Sequence, residues 1–347
     1  MVSRDRRRFC TLVGSASVIA ATSRLLAQTS APDLISKAKS EGTVVWYTDL
    51  VVDQISRPIA ALFKKIYGIE VAFNRADSQQ TILKILHEHG ANKPAADVFS
   101  ITNGMQTLID AGAVMKYEPP NAAMLPEGYR DPQKRWFTTT VYAMTPAVNT
   151  DLVSLADRPK SYEDLLHPRW AGKIVWKPND VAGAPGFIGN ILTTMGEDRG
   201  MDYLRRLSAQ KIKIVDSSSR GLIDQVIAGV YPLVLQIANH HSSISNKQGA
   251  PIDWLPFSPS AIVLDTAGMV NSGPHPFAAQ VFMNFLLSVE AQGIFSKADY
   301  LPSNPKVAAL DPSLSPEGGR FKGNLLTPDL IAKRLAHWND VFATLFR

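Results

Sequence analysis

The sequence predicts an α/β fold built on a mainly parallel sheet, and three observations carry that expectation. Short apolar runs alternate with helix-spaced segments from Thr43 onward, glycines close the helices, and a second alternation of the same kind begins near Ser161. Strands buried on both faces read as continuous apolar runs, and the helices that cover them read with a 3.6-residue period. The pattern therefore places helices on both faces of one sheet.

Taken in order, Thr43 to Tyr47 (TVVWY) is the first strand. Ile59, Leu62, Phe63, Ile66 and Tyr67 follow helical spacing and stop at Gly68, a natural C-terminal cap. Ile69, Val71 and Phe73 alternate as a second strand, and Ser78 is placed to cap a helix carrying Ile82, Leu83, Ile85 and Leu86 that closes at Gly90. Ala96-Asp97-Val98-Phe99 is the third strand, completing a βαβαβ opening. Ser161 and Asp164 have capping-box spacing ahead of Leu165 and Leu166, and Gly172 to Trp176 opens a new strand. A helix with Leu222, Val226 and Ile227 follows, then a strand from Leu233 to Ile237, which Pro232 can precede without costing a ladder bond. Ala261 to Leu264 reads as a further strand, and Pro276 as the first residue of a helix bearing Phe277, Val281, Phe282, Phe285 and Leu286.

The N-terminus has a different logic. Arg6-Arg7-x-Phe9 precedes a small and mildly apolar stretch from Thr11 to Ala21, then Leu25-Leu26-Ala27. This layout predicts a cleaved export signal over residues 1–27, of the twin-arginine kind in preference to the general secretory kind. A membrane anchor needs roughly 20 apolar residues, and Ser15, Ser17, Thr22, Ser23 and Arg24 interrupt this one. Those 27 residues hold five arginines and one aspartate, so their removal lowers the net charge from +5 to +1. The electrostatic case for nucleic acid goes with them. So does Cys10, the sole cysteine, which leaves no disulfide or thiolate metal site. A monomer starting near Gln28 in the periplasm is expected.

In open α/β sheets, ligands collect beyond the carboxyl ends of the strands, where helix N-termini offer amide donors. Thr48-Asp49, Ser100 to Asn103, Asp180 to Gly186 (DVAGAPG), and Asn239 with His240-His241 all follow strands. The histidine pair has three readings: a metal site, a contact to an organic ligand, or a solvated loop. Ligand contact is favoured, because imidazoles can meet a carboxylate, phosphate or phosphonate. If imidazolium is the binding form, affinity falls as pH rises past about 6.5. His87-Glu88-His89 lacks the i, i+4 spacing of a helical zinc site and reads as a solvated face. Tyr142 and Trp176 read as cleft walls or as packing, and Asp265 as a hinge or cleft acid or a turn residue. No G-x-S-x-G elbow, H-E-x-x-H, C-x-x-C or G-x-G-x-x-G opening the first helix is present, so an exported enzyme is disfavoured.

EGTVVWYTDL, FKKIYGIEV, ADVF, AGAVMKYEPP, AVNTDLV, SYEDLLHPRWAGKI and HPFAAQVFMNFLLSVEAQ, in that order from about Glu41 to about Pro305, make the chain resemble a periplasmic solute-binding protein of ABC transporters, in the branch that includes ferric-ion binders. The resemblance implies a two-lobed type II periplasmic-binding-protein fold with hinge crossings and a ligand cleft. Residues 41–140 plus 258–305 are expected as one lobe, and 141–257 plus 306–347 as the other. It implies a small-molecule ligand, delivery to a membrane permease and its ATPase, and no cofactor; a sensing subunit would keep the same fold. Asp49, Ser78, Thr102, Asn103, Tyr142, Gly183, Ala184, Asn239, His240, His241 and Asp265 are then the expected ligand contacts. The resemblance also implies where ferric ligands would stand. Its paired tyrosines fall on His240 and His241, its early histidine on Val51 and its glutamate on Thr102, so the anionic oxygens that hard ferric iron prefers are replaced. The expected cargo is therefore a small organic or phosphorus-containing anion, with a metal ion as the alternative.

Overall fold

A computed structural model describes residues 31–178 and 181–347; the export-signal reading of residues 1–27 and the position of Asp180 lie outside them. The first half opens with α1 (Ala31–Glu41), β1 (Thr43–Thr48), α2 (Arg57–Tyr67), β2 (Glu70–Arg75), α3 (Ser78–Gly90) and β3 (Val98–Ile101). β1 lies between β2 and β3 and is parallel to both, as the βαβαβ pattern requires. Gly68 caps α2 at φ 71°, where a side chain would be strained. At α3 the cap is one residue earlier than expected. Asp77 accepts from the Gln80 amide at 2.9 Å, because its extended backbone aims the carboxylate back over the first turn. Ser78 is thereby freed to point inward.

The chain continues through α4 (Met105–Asp110), β4 (Val114–Met115) and β5 (Phe137–Asn149), then β6 (Ile174–Trp176), α5 (Ala184–Met195), α6 (Glu197–Ser208), β7 (Lys213–Ile214), α7 (Ser219–Ile227), β8 (Leu233–Ala238) and α8 (Asn239–Lys247). It closes with β9 (Ile252–Trp254), β10 (Ser260–Val270), α9 (Pro276–Leu286), α10 (Val289–Lys297), β11 (Leu301–Pro302), β12 (Gly323–Leu325) and α11 (Pro328–Phe346). The capping-box bonds do form between Ser161 and Asp164, at 3.1 and 3.3 Å, but they close a single 3₁₀ turn.

The sheet order is β2-β1-β3-β10-β5-β8-β6-β7. Its flanks are parallel, but its centre, β3-β10-β5-β8, is antiparallel, which corrects the expectation of a mainly parallel sheet. The physical reason is that β5 and β10 run in opposite directions between the two halves. Residues 266–269 of β10 pair with β3, whereas residues 144–148 of β5 pair with β8. Helices α1, α2 and α9 cover the first half around Trp46, Phe63, Phe282 and Phe285. Helices α5, α6 and α11 cover the second around Trp176, Phe187, Trp338 and Phe342. Trp176 is therefore core and not a cleft wall: it is fully buried, with Phe346 and Phe342 at 4.7 and 5.7 Å. Gly189 lets α11 approach α5, since a Cβ there would lie 2.8 Å from the Trp338 ring. His87-Glu88-His89 is only partly a solvated face, because Glu88 accepts from Tyr47 Oη at 2.8 Å and from the Ala95 amide at 3.0 Å.

Candidate ligand cleft

Asp49 lies just past β1 and Thr102 just past β3, with Ser78 at the start of α3 between them in space. Ser78 Oγ, the Thr102 amide and Thr102 Oγ1 all donate to Asp49 Oδ2, at 2.5, 2.9 and 3.0 Å. The other oxygen, Asp49 Oδ1, is buried without a partner. Three sequence-predicted residues thus form one cluster, built by strand ends that parallel pairing brings side by side.

The crossing strands supply the floor. Asp265 is fully buried inside β10, which runs six residues beyond Leu264 to Val270, so it is not a turn residue. Its pairing with Thr140 is followed by a register shift between Asp265 and Thr266. Thr139 Oγ1 donates to its carboxylate, and Thr102 Oγ1 reaches it at 3.4 Å. Burial, and contact with Asp49, push the Asp265 carboxyl well above the ordinary carboxylate range. Tyr142, on β5, meets the same cluster through Thr102, and its phenol is pushed well up by burial and by Asp265.

The second half adds the histidines. β8 delivers Asn239, His240 and His241 into the first turn of α8, so the pair lies on a helix and not a loop; His240 is 1 % exposed and His241 is half-buried. Its ring stacks on Tyr142 at 5.4 Å, meets Tyr300 at 4.3 Å and His241 at 4.2 Å, yet neither ring nitrogen has a hydrogen-bond partner. His241 Nδ1 is likewise buried and unpartnered. A buried polar atom without a partner costs about 1–3 kcal/mol, and three such nitrogens stand together here. Burial, and His241 beside it, hold His240 well below the usual histidine value; burial, then Arg220 and Lys177, hold His241 down at about 4. Both are neutral near pH 7, which replaces the imidazolium expectation. Neutral rings still offer one donor and one acceptor each.

The remaining expected contacts are less direct. Gly183 precedes α5, but the Ala184 amide donates to Lys177 O at 2.9 Å and Gln236 Nε2 donates to Gly183 O at 3.0 Å, so this turn's bonds are largely internal. Asn239 is fully buried and donates to Leu314 O at 2.8 Å. Asn103 lines a cavity of about 220 Å³ between α4 and α11, which Thr102 also borders. Sequence reasoning missed Thr139, Lys177, Arg220 and Tyr300. Tyr300 follows α10 in an unremarkable turn, and Lys247 on α8 ties that turn in place through Asp299 at 2.6 Å. No sequence signal marks it; only tertiary contact does.

Two sheet halves joined by crossing strands, with buried unpartnered polar groups between them, define the class of two-lobed ligand-binding proteins. Residues 93–322 match the bacterial extracellular solute-binding protein family, and the chain belongs to it. It is 26 % identical over 277 residues to iron uptake protein A2 of Synechocystis sp., covering 74 % of this chain and 78 % of that one. It is 24 % identical over 272 residues to the Fe(3+)-binding periplasmic protein of Serratia marcescens, covering 72 % and 77 %. Iron-bound HitA from Pseudomonas aeruginosa superposes with a TM-score of 0.71 at 24 % identity, over 86 % of this chain and 99 % of that one. AfuA from Actinobacillus pleuropneumoniae, with fructose-6-phosphate bound, superposes with a TM-score of 0.69 at 21 % identity, over 87 % and 99 %. These neighbours establish the type II periplasmic-binding-protein fold. The protein is periplasmic, a binding component of an ABC importer that works with a permease and an ATPase. Among the described residues no helix is long and apolar enough to cross a membrane.

Proposed function

We propose that the protein captures a small polar organic molecule with an anionic group, as a monomer, between lobes formed by residues 41–140 plus 258–305 and 141–257 plus 306–347. The observation that carries this reading is His240, buried with both ring nitrogens unpartnered at the start of α8. A helix N-terminus attracts negative charge, and the positive charges of Lys177 and Arg220 act on neighbouring His241. β5 and β10 are the crossings about which the lobes close. Closure follows because contacts from both lobes exist together only in the closed form.

A second reading, ferric iron, is favoured by the oxygen-rich group of Asp49, Asp265, Tyr142 and Tyr300 and by what the relatives are named for. Against it, the tyrosine pair that the resemblance implies for ferric binders is replaced by His240 and His241. One fold accommodates both kinds of cargo, iron in HitA and a sugar phosphate in AfuA, so the fold does not decide between them. Mass spectrometry of small molecules released from native protein should return an organic anion, and titration with ferric citrate should give neither colour nor thermal stabilisation. A coloured one-to-one ferric complex would assign the cargo to iron.

Export through the twin-arginine route is part of the same proposal. Replacing Arg6 and Arg7 with lysine should hold the precursor in the cytoplasm, as followed by cell fractionation; undiminished export would assign the general secretory route instead.

A further inference from the structure

We infer that Asp49 and Asp265 form a subsite for the ammonium group of a zwitterionic solute whose anionic end lies against His240, His241 and the start of α8. This rests on the anion reading above and narrows it from anions in general to anions that carry an amine.

The geometry is specific. Thr102 Oγ1 stands 3.0 Å from Asp49 Oδ2 and 3.4 Å from Asp265 Oδ2, so one hydroxyl touches both carboxyls. All three donors to Asp49 converge on Oδ2 and leave buried Oδ1 with none. Asp265 is satisfied by Thr139 and Thr102, both uncharged. Among the described residues, no lysine or arginine pairs with either carboxyl, whereas surface carboxylates such as Glu118 and Glu197 each have two basic partners. Asp49 Oδ1 is a buried carboxylate oxygen with neither a donor nor a counter-charge, and a cation placed against it removes that cost.

The surroundings suit an ammonium group as well. Tyr142 and Tyr300 stand 6.0 Å apart beside the carboxyls and offer aromatic faces, which attract cations. His240 packs against both rings, so the unpartnered imidazole and the acid pair flank the same two tyrosines. Charge is thereby divided across the cleft. The first wall and floor carry the acids, and the second wall carries Lys177, Arg220 and a helix N-terminus. A plain anion would meet the acids unfavourably, whereas a molecule with an ammonium at one end and a carboxylate or phosphonate at the other matches both sides.

Calorimetry with two probe pairs tests this: β-alanine against propionate, and 2-aminoethylphosphonate against ethylphosphonate. At least one zwitterion should bind about tenfold or more tightly than its amine-free partner, the scale of a charge-assisted bond. Asp49→Asn should bring that ratio close to one. Asp265→Asn should do the same and keeps the test usable if the first variant folds poorly. Equal affinity within both pairs, or a preference that survives both variants, would overturn the subsite while leaving an anion cleft in place. No binding by any probe would overturn the subsite as well, and a coloured ferric complex alongside it would remove the anion reading too.

Discussion

Gly186→Ala should destabilise the protein by more than about 3 kcal/mol, the upper end of the range for overpacked interiors. A Cβ on Gly186 would lie 1.8 Å from Val181 O, 2.7 Å from the carbonyl carbon of Val181 and 2.9 Å from Gln236 Nε2. The first two are backbone atoms, which no rotamer change can move away. The turn from Val181 to Gly186 would have to open, and Gln236 Nε2 would lose its acceptors Val181 O and Gly183 O, now at 3.1 and 3.0 Å. Leaving that buried amide unpaired adds a cost of about 1–3 kcal/mol. Urea unfolding followed by tryptophan fluorescence measures the change, with buried Trp176 and Trp338 as reporters in the same half. Gly90→Ala is the control, because nothing lies within 4 Å of its Cβ position, and it should be neutral or slightly stabilising. A loss below about 1 kcal/mol at Gly186, the cost of an ordinary substitution, would mean that the turn re-forms around the methyl group.

The second large effect is acid lability set by the histidine pair. His240 and His241 both have lowered pKa values in the folded protein, with His241 at about 4. Below the unfolded value of about 6.5, the unfolded chain takes up protons that the folded chain refuses. Stability is therefore intact above that value and falls as pH is lowered through the window from 6.5 toward 4. For His241 alone the full loss is about 3 kcal/mol, because each tenfold difference in proton affinity between the folded and unfolded chain is worth about 1.36 kcal/mol. His240 adds to it in the same direction. The carboxyl of Asp265 has the opposite sign. Its raised value favours the folded state in acid and is lost as pH rises, so it cannot cause this window. Depressed carboxylates such as Asp131 and Glu197 do weaken the fold in acid, but they are common to wild type and variant. The His240→Gln, His241→Gln double variant, compared with wild type by urea unfolding from pH 7 to about 4.5, should gain relative stability as pH falls. Parallel curves would show that the pair is solvated and titrates normally. Ligand affinity, carried by neutral imidazoles, should show no decline on crossing about pH 6.5 from below.

The elements that were legible in the sequence share one property: their burial pattern is local. TVVWY, the helix ending at Gly68 and the run from Leu233 to Ile237 each show in their own residues which faces meet the core, so strand and helix could be assigned one by one. The shift of the α3 cap from Ser78 to Asp77 was not legible, because both residue types can cap and only the backbone path chooses. The long central strands were only partly visible. β10 was recognised over four residues and β5 not at all, since threonines and Pro146 break the apolar run of β5, and Asp265, Thr266 and Gly268 break that of β10.

By itself, the sequence determined the α/β class, the strand ends that the fold brings together around Asp49 and Thr102, and the absence of a tyrosine pair at residues 240 and 241. Tertiary structure alone decided what those positions touch. Thr102 and Asp265 are 163 positions apart, yet they touch because β10 returns antiparallel beside β3. Tyr300 reaches His240 because α10 ends against α8. The two histidines have lowered proton affinity because that assembly buries His240 and much of His241 and sets the charges of Arg220 and Lys177 acting on His241. Periodicity records which side of an element is dry, whereas the charge state and partners of a group depend on distances that only the folded chain creates.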